Sequence, residues 1–101
     1  MDVRHDDPEL EEMEANPEYS GRHGVPVVRG FRKVMNIIRQ SLNETVIRNF
    51  AGLRLEKLKG KRSHQHSMRI NDQWRLIVEF IARTGPNNNL CAVKELVDYH
   101  P

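Results

Sequence analysis

Six cations, Arg54, Lys57, Lys59, Lys61, Arg62 and Arg69, fall between positions 54 and 69. Ammonium and guanidinium groups at this density are phosphate-binding chemistry, because they displace the counterions of a polyanion. A strand that merely blunts its own edge does so with one or two lysines, so six exceed what a solvated edge needs. Arg75 stands between Trp74 and Leu76 in a strand-like run, where a guanidinium serves either a phosphate or an ion pair with Glu56 or Glu79. His64 and His66 have the i, i+2 spacing that chelates zinc from one strand face, with Asp98 or His100 as a further ligand. The same parity aims them at Met68 and Ile70, which favours a structural role, and we expect neither a metal nor another cofactor. Cys91, the one cysteine, rules out an intramolecular disulfide and reads as an inert buried thiol.

Charge is divided along the chain. Residues 1–20 hold eight acids against Arg4 alone, a balance of −7, while residues 21–101 hold fifteen bases against six acids, a balance of +9. An acidic head on a basic body points to a polyanionic partner for the body. The length of 101 residues fits one domain over 1–101. No stretch approaches the roughly 18 apolar residues of a membrane span, and no basic-then-apolar leader opens the chain. A cytoplasmic protein with no membrane partner is the expectation.

The elements that must position these side chains change period midway. Met1–His5 suits an edge strand. Asp7 and Pro8 have N-cap and first-turn chemistry for a short helix carrying Leu10 and Met13, which Pro17 stops. Pro26 opens a second helix in which Val28, Phe31, Met35, Ile38 and Leu42 recur at spacings of three and four. Ser41 and Glu44 have capping-box spacing, which predicts a further turn through Phe50. From residue 51 the period is two: Leu53 and Leu55, then His66, Met68 and Ile70, then Trp74, Leu76, Val78 and Phe80, then a strand-like Leu90–His100. Asn71-Asp72-Gln73 is a tight connection, and Gly85 to Asn89 a turn. Helices over 26–50 followed by a sheet over 53–100 predict an α+β domain. Two to three N-terminal helices would pack on one face of a twisted, mostly antiparallel sheet of about four strands. If the apolar set faces the helices, the other face displays Arg54, Glu56, Ser67, Arg69, Arg75 and Glu79, with Lys57, Lys59, Lys61 and Arg62 at its rim. That face is expected to be basic and open.

The block "LRLEKLKGKRSHQHSMRINDQWRLIVEF", the preceding "GFRKVMNIIRQ" and the terminal "VDYH" resemble the RelE/ParE-type toxins of bacterial toxin–antitoxin pairs, in the HigB branch. The resemblance covers about residues 28–100. It implies the RelE-like fold, and metal-independent cleavage of messenger RNA in the ribosomal A site. It also implies a helix-turn-helix, HigA-like antitoxin, with operator DNA bound only through the toxin–antitoxin complex. The family's catalytic lysine, arginine and terminal Asp-Tyr-His match Lys59, Arg75, Asp98, Tyr99 and His100. Two positions depart from the pattern: Glu56 stands where the branch has a histidine, and Lys61 where an aspartate is common. The resemblance thus implies a catalytic set of Arg75, His100, Tyr99, Asp98, Glu56 and Lys59. Lys57, Lys61, Arg62, Arg69 and Arg54 would be RNA contacts.

Such cleavage requires a base for the 2′-hydroxyl, an acid for the leaving oxygen and cations for the phosphorane. His100 suits the acid and Glu56 the base or an orienting partner of Arg75. Tyr99 would either stack on a base or join the chemistry, unless it packs on the core side with Val93 and Val97. Two other readings stand beside this one: a gyrase-poisoning relative without nuclease activity, against which Tyr99 and His100 argue, and a non-catalytic RNA-binding module.

Overall fold

In the computed structural model, which describes residues 1–19, 22–85 and 89–98, five strands form one sheet in the order β1-β5-β4-β3-β2. They are β1 (Asp2–His5), β2 (Glu56–Lys57), β3 (His66–Arg69), β4 (Trp74–Ile81) and β5 (Leu90–Asp98). All neighbours are antiparallel except β1, which joins β5 in parallel as the edge strand the N-terminal residues suggest. Three helices, α1 (Pro8–Ala15), α2 (Val25–Gln40) and α3 (Glu44–Arg48), cover one face. This is the α+β architecture expected, with one more strand than the four counted from the period-two runs.

Local chemistry sets the helix ends. Asp7 accepts from the Glu9 N–H and Pro8 fills the first helical position, where its missing N–H costs nothing. Asn16 closes that helix just before Pro17. α2 starts after Gly24, whose φ of 84° is open to glycine at no steric cost. The capping-box expectation is corrected: Asn43, not Ser41, caps α3 by accepting from the Val46 N–H. Ser41 belongs to the preceding helix, its Oγ donating to the Ile37 carbonyl at 2.6 Å.

The core joins Leu10 and Met13 of α1, the α2 stripe, Ile47, and Met68, Leu76, Val78, Cys91 and Val93 of the sheet. Val34 takes the place expected of Leu42, which lies past the helix end and is exposed. Each fully buried aliphatic side chain contributes about 1.5–3 kcal/mol, which fixes α2 on the sheet. At Gly30 the helix drives close to β3: a Cβ there would meet Ile70 Cγ2 at 3.0 Å.

Two departures from the predicted sheet matter for the site. The period-two run at Leu53 and Leu55 is not a strand at its start. Ala51–Leu53 form a 3₁₀ turn, Arg54 is left-handed (φ 46°, ψ 55°), and β2 is only two residues long. β5 carries a bulge. Arg75↔Val97 and Ile77↔Glu95 give way to Val78↔Val93, so Lys94 is the unpaired residue. Val93 therefore faces the helices while Val97 shares the opposite face with Arg75, which corrects the expectation that the two valines lie on one side. The segment expected as a turn around 86–88 lies outside the described residues.

Candidate functional site

The sheet face turned away from the helices holds two register rows, Arg69–Arg75–Val97 and Glu56–Ser67–Ile77–Glu95. Arg75 sits at their junction and is only 7% exposed. Its Nη2 donates to the Arg54 carbonyl at 2.8 Å and lies 3.8 Å from Glu56 Oε2. The left-handed turn at Arg54 is what aims that carbonyl at the guanidinium. For a non-glycine residue this conformation costs about 1–2 kcal/mol. Glu56 is far more open, with 63% of its side chain exposed. A buried guanidinium beside an accessible carboxylate is an arrangement that stabilises an oxyanion and accepts a proton next to it.

This face is less basic and less open than its alternation predicts. Ser67, Arg75 and Ile77 are buried. Lys94 Nζ lies 2.6 Å from Asp6 and 3.5 Å from Glu79, and Arg4 pairs with Asp6. Arg62 donates to Glu95 at 2.7 Å and to Gln65 at 2.9 Å. Arg69 donates to Asp72 at 2.6 Å. Long-range pairs for Arg62 and Lys94, and local ones for Arg69 and Arg4, thus neutralise cations that look free in sequence. Arg54, Lys57, Lys59 and Lys61 have no carboxylate partner among the described residues and are exposed.

The predicted set is only partly brought together. Arg54, Arg69, Arg75 and Glu56 converge at one end of the sheet. Lys59 and Lys61 follow β2 in a loop and the 3₁₀ turn Gly60–Arg62. Lys57 pairs with His66 and Asp98 with Trp74, so both share the helix-side face, opposite Arg75. Gln73 Nε2 donates to Asp98 Oδ2 at 3.2 Å. Tyr99 and His100 lie outside the described residues. Three groups important to this geometry carried no sequence signal: the Arg54 carbonyl, Glu95 and Lys94. Each acquires its role through pairing between distant segments.

His64 and His66 do not share a strand. β3 begins at His66, and His64 lies in the turn before it. His66 stacks edge-to-face on Phe80 with ring centroids 5.3 Å apart, and burial holds its pKa below the ordinary imidazole value. Among the described residues no three His, Cys, Asp or Glu side chains are grouped to hold a metal ion. Burial pushes the Cys91 thiol up to about 12, so it is not nucleophilic near neutral pH. No helix among the described residues is long and apolar enough to cross a membrane.

The family model for HigB-like toxins, described as the RelE-like toxin of the type II toxin–antitoxin system HigB, matches residues 23–100. Among solved structures, the YoeB/ParE toxin from Agrobacterium tumefaciens is similar with a TM-score of 0.63 and 19% sequence identity. That match covers 99% of this chain and 100% of the other. At this identity the likeness speaks for the fold alone. Comparison with curated protein sequences gives no match.

Proposed function

Because the chain belongs to the HigB-like family, the RelE-like toxins of type II toxin–antitoxin systems, we propose that it is a metal-independent endoribonuclease. It cuts messenger RNA on the ribosome and is neutralised by its antitoxin. The observation that carries this reading is Arg75, a buried guanidinium fixed by the Arg54 carbonyl and set beside Glu56 on the sheet face away from the helices.

In this mechanism the Glu56 carboxylate takes the proton of a ribose 2′-hydroxyl. The freed oxygen attacks the adjacent phosphorus, and Arg75 stabilises the charge on the phosphorane. The bond to the 5′ oxygen then breaks, and His100 protonates that leaving group. The products are a 2′,3′-cyclic phosphate and a 5′-hydroxyl. Lys59 holds the phosphate and Tyr99 stacks on a base beside the cut. Lys57, Lys61, Arg62, Arg69 and Arg54 hold RNA by its backbone and do not read bases.

End analysis of RNA from cells expressing the chain tests the chemistry. Fragments that accept label from polynucleotide kinase without prior dephosphorylation carry the expected 5′-hydroxyl. Fragments with 5′-phosphate contradict attack by the 2′-hydroxyl.

A further inference from the structure

The stretch from Lys57 to His66 holds Lys57, Lys59, Lys61 and Arg62 and not one carboxylate. Like charges this close repel one another and work against any single loop geometry. The loop is nevertheless closed. The Leu58 N–H donates to the Gln65 carbonyl at 2.9 Å, the Gln65 N–H to the Arg62 carbonyl at 2.9 Å, and the Ser63 N–H to the Gly60 carbonyl at 3.1 Å. One side chain then carries the loop onto the sheet. Arg62 donates through Nε to Gln65 inside the loop, at 2.9 Å, and through Nη2 to Glu95 on β5, at 2.7 Å. In the sheet order β5 stands two strands beyond β3, which is roughly 10 Å, so the loop folds back over the sheet to make this pair. Glu95 shares a register row with Glu56, Ser67 and Ile77. Ser67 and Ile77, between the two carboxylates, are only 5% and 3% exposed although they face away from the helices. The bulge gives the neighbouring Lys94 to Asp6 and Glu79, so it does not compete for Glu95.

We propose that Glu95 is a positioning residue for RNA cleavage: through Arg62 it straps this loop across the sheet and fixes Lys59 and Lys61 where the RNA backbone lies. The proposal rests on the reading of the chain as a ribonuclease. Lys59 directly precedes the 3₁₀ turn Gly60–Arg62 and Lys61 lies inside it, so both move with Arg62. An ammonium held in place before the substrate arrives stabilises the phosphorane without the cost of ordering a loop at that moment. Net charge alone predicts the opposite. Neutralising Glu95 releases Arg62 and makes the face more positive, which tightens RNA binding and leaves the rate as it was. The two accounts therefore differ in sign.

The test uses the full chain on ribosomes programmed with a single message, in single-turnover assays of wild type and Glu95→Gln. Glu95→Gln is expected to lower the maximal cutting rate about tenfold, with the concentration that gives half of that rate unchanged or lower. Trypsin reports on the loop itself. The variant should be cut after Lys59, Lys61 or Arg62 at least about fivefold faster than wild type. Its melting temperature should stay within about 5 °C of wild type, as loss of one exposed ion pair allows. A wild-type maximal rate in Glu95→Gln would overturn the proposal, whether or not trypsin finds the loop opened. Slower cutting with the loop still protected would also overturn it, because Glu95 would then act on the RNA directly. A wild-type chain that leaves the ribosome-bound message whole would overturn the ribonuclease reading and the role of Glu95 with it. One that cuts, with Glu95→Gln cutting equally fast, would overturn that role alone.

Discussion

Arg75 and Arg54, 21 positions apart in the chain, meet through a hydrogen bond from guanidinium Nη2 to backbone carbonyl at 2.8 Å. One residue supplies the cation and the other, through its left-handed backbone, supplies the acceptor that orients it. The buried guanidinium keeps its planar fork directed along the sheet face, toward Glu56.

The backbone half of this relationship is separable from the side chain. Arg54→Gly removes the steric cost of φ 46°, whereas Arg54→Ala retains it. The glycine variant is expected to be about 1 kcal/mol more stable than the alanine variant, or about 4–8 °C in melting temperature for a domain of this size. Thermal melts of the two variants decide it, and equal melting temperatures would mean the turn is unstrained.

Glu14 ties α1 to both β1 and α2. It accepts from Arg39 at 2.7 and 2.8 Å and contacts His5 Nε2 at 2.7 Å. Hydrogen bonds from Arg39, assisted by His5, hold its carboxyl below the ordinary value of 4.5. The unfolded chain therefore takes up this proton first as pH falls. The stabilisation is complete above about pH 4.5 and is lost as pH drops through the lower folded value. Glu14→Gln should cost about 1 kcal/mol at pH 7, with the gap from wild type closing below pH 4.5 in urea titrations. A gap that stays constant with pH would show that charge plays no part.

The cations after β2 are not equivalent. Lys59 and Lys61 have no carboxylate partner among the described residues, while Arg62 is engaged by Glu95. Each phosphate contact contributes roughly −0.7 to the slope of log affinity against log salt for single-stranded sites. Replacing Lys59 and Lys61 by alanine should flatten the slope of ribosome binding by about 1.4 units, and Arg62→Ala by less than half of that. An Arg62→Ala effect of about 0.7, half that of the double variant, would show that the Glu95 pair opens on the ribosome.

The parts of this molecule legible in its sequence are those specified locally. The three-and-four spacing of Phe31, Met35 and Ile38 placed α2, Asp7-Pro8 placed the start of α1, and alternation from Trp74 to Phe80 placed the buried side of β4. Alternation misled at Leu53 and Leu55, because a 3₁₀ turn followed by a left-handed residue also returns leucines to the core side. The bulge at Lys94 was not legible, since it exists only as a mismatch between β4 and β5. For the same reason the six cations looked uniform. Glu95 lies 33 residues from Arg62, and nothing near either residue announces the pair. Arg75 and Glu56 could be placed on one face by parity, but the Arg54 carbonyl between them could not.

The most direct measurement is primer extension on two copies of one transcript, one translated and one lacking its start codon, in cells expressing wild type or Arg75→Ala. Wild type is expected to cut the translated copy alone. Arg75→Ala should cut it about 10²–10³ times more slowly, with circular dichroism showing an intact fold. Equal cutting of both copies by wild type would contradict the requirement for the ribosome. Undiminished cutting by a folded Arg75→Ala variant would contradict the assignment of this arginine to the reacting phosphate.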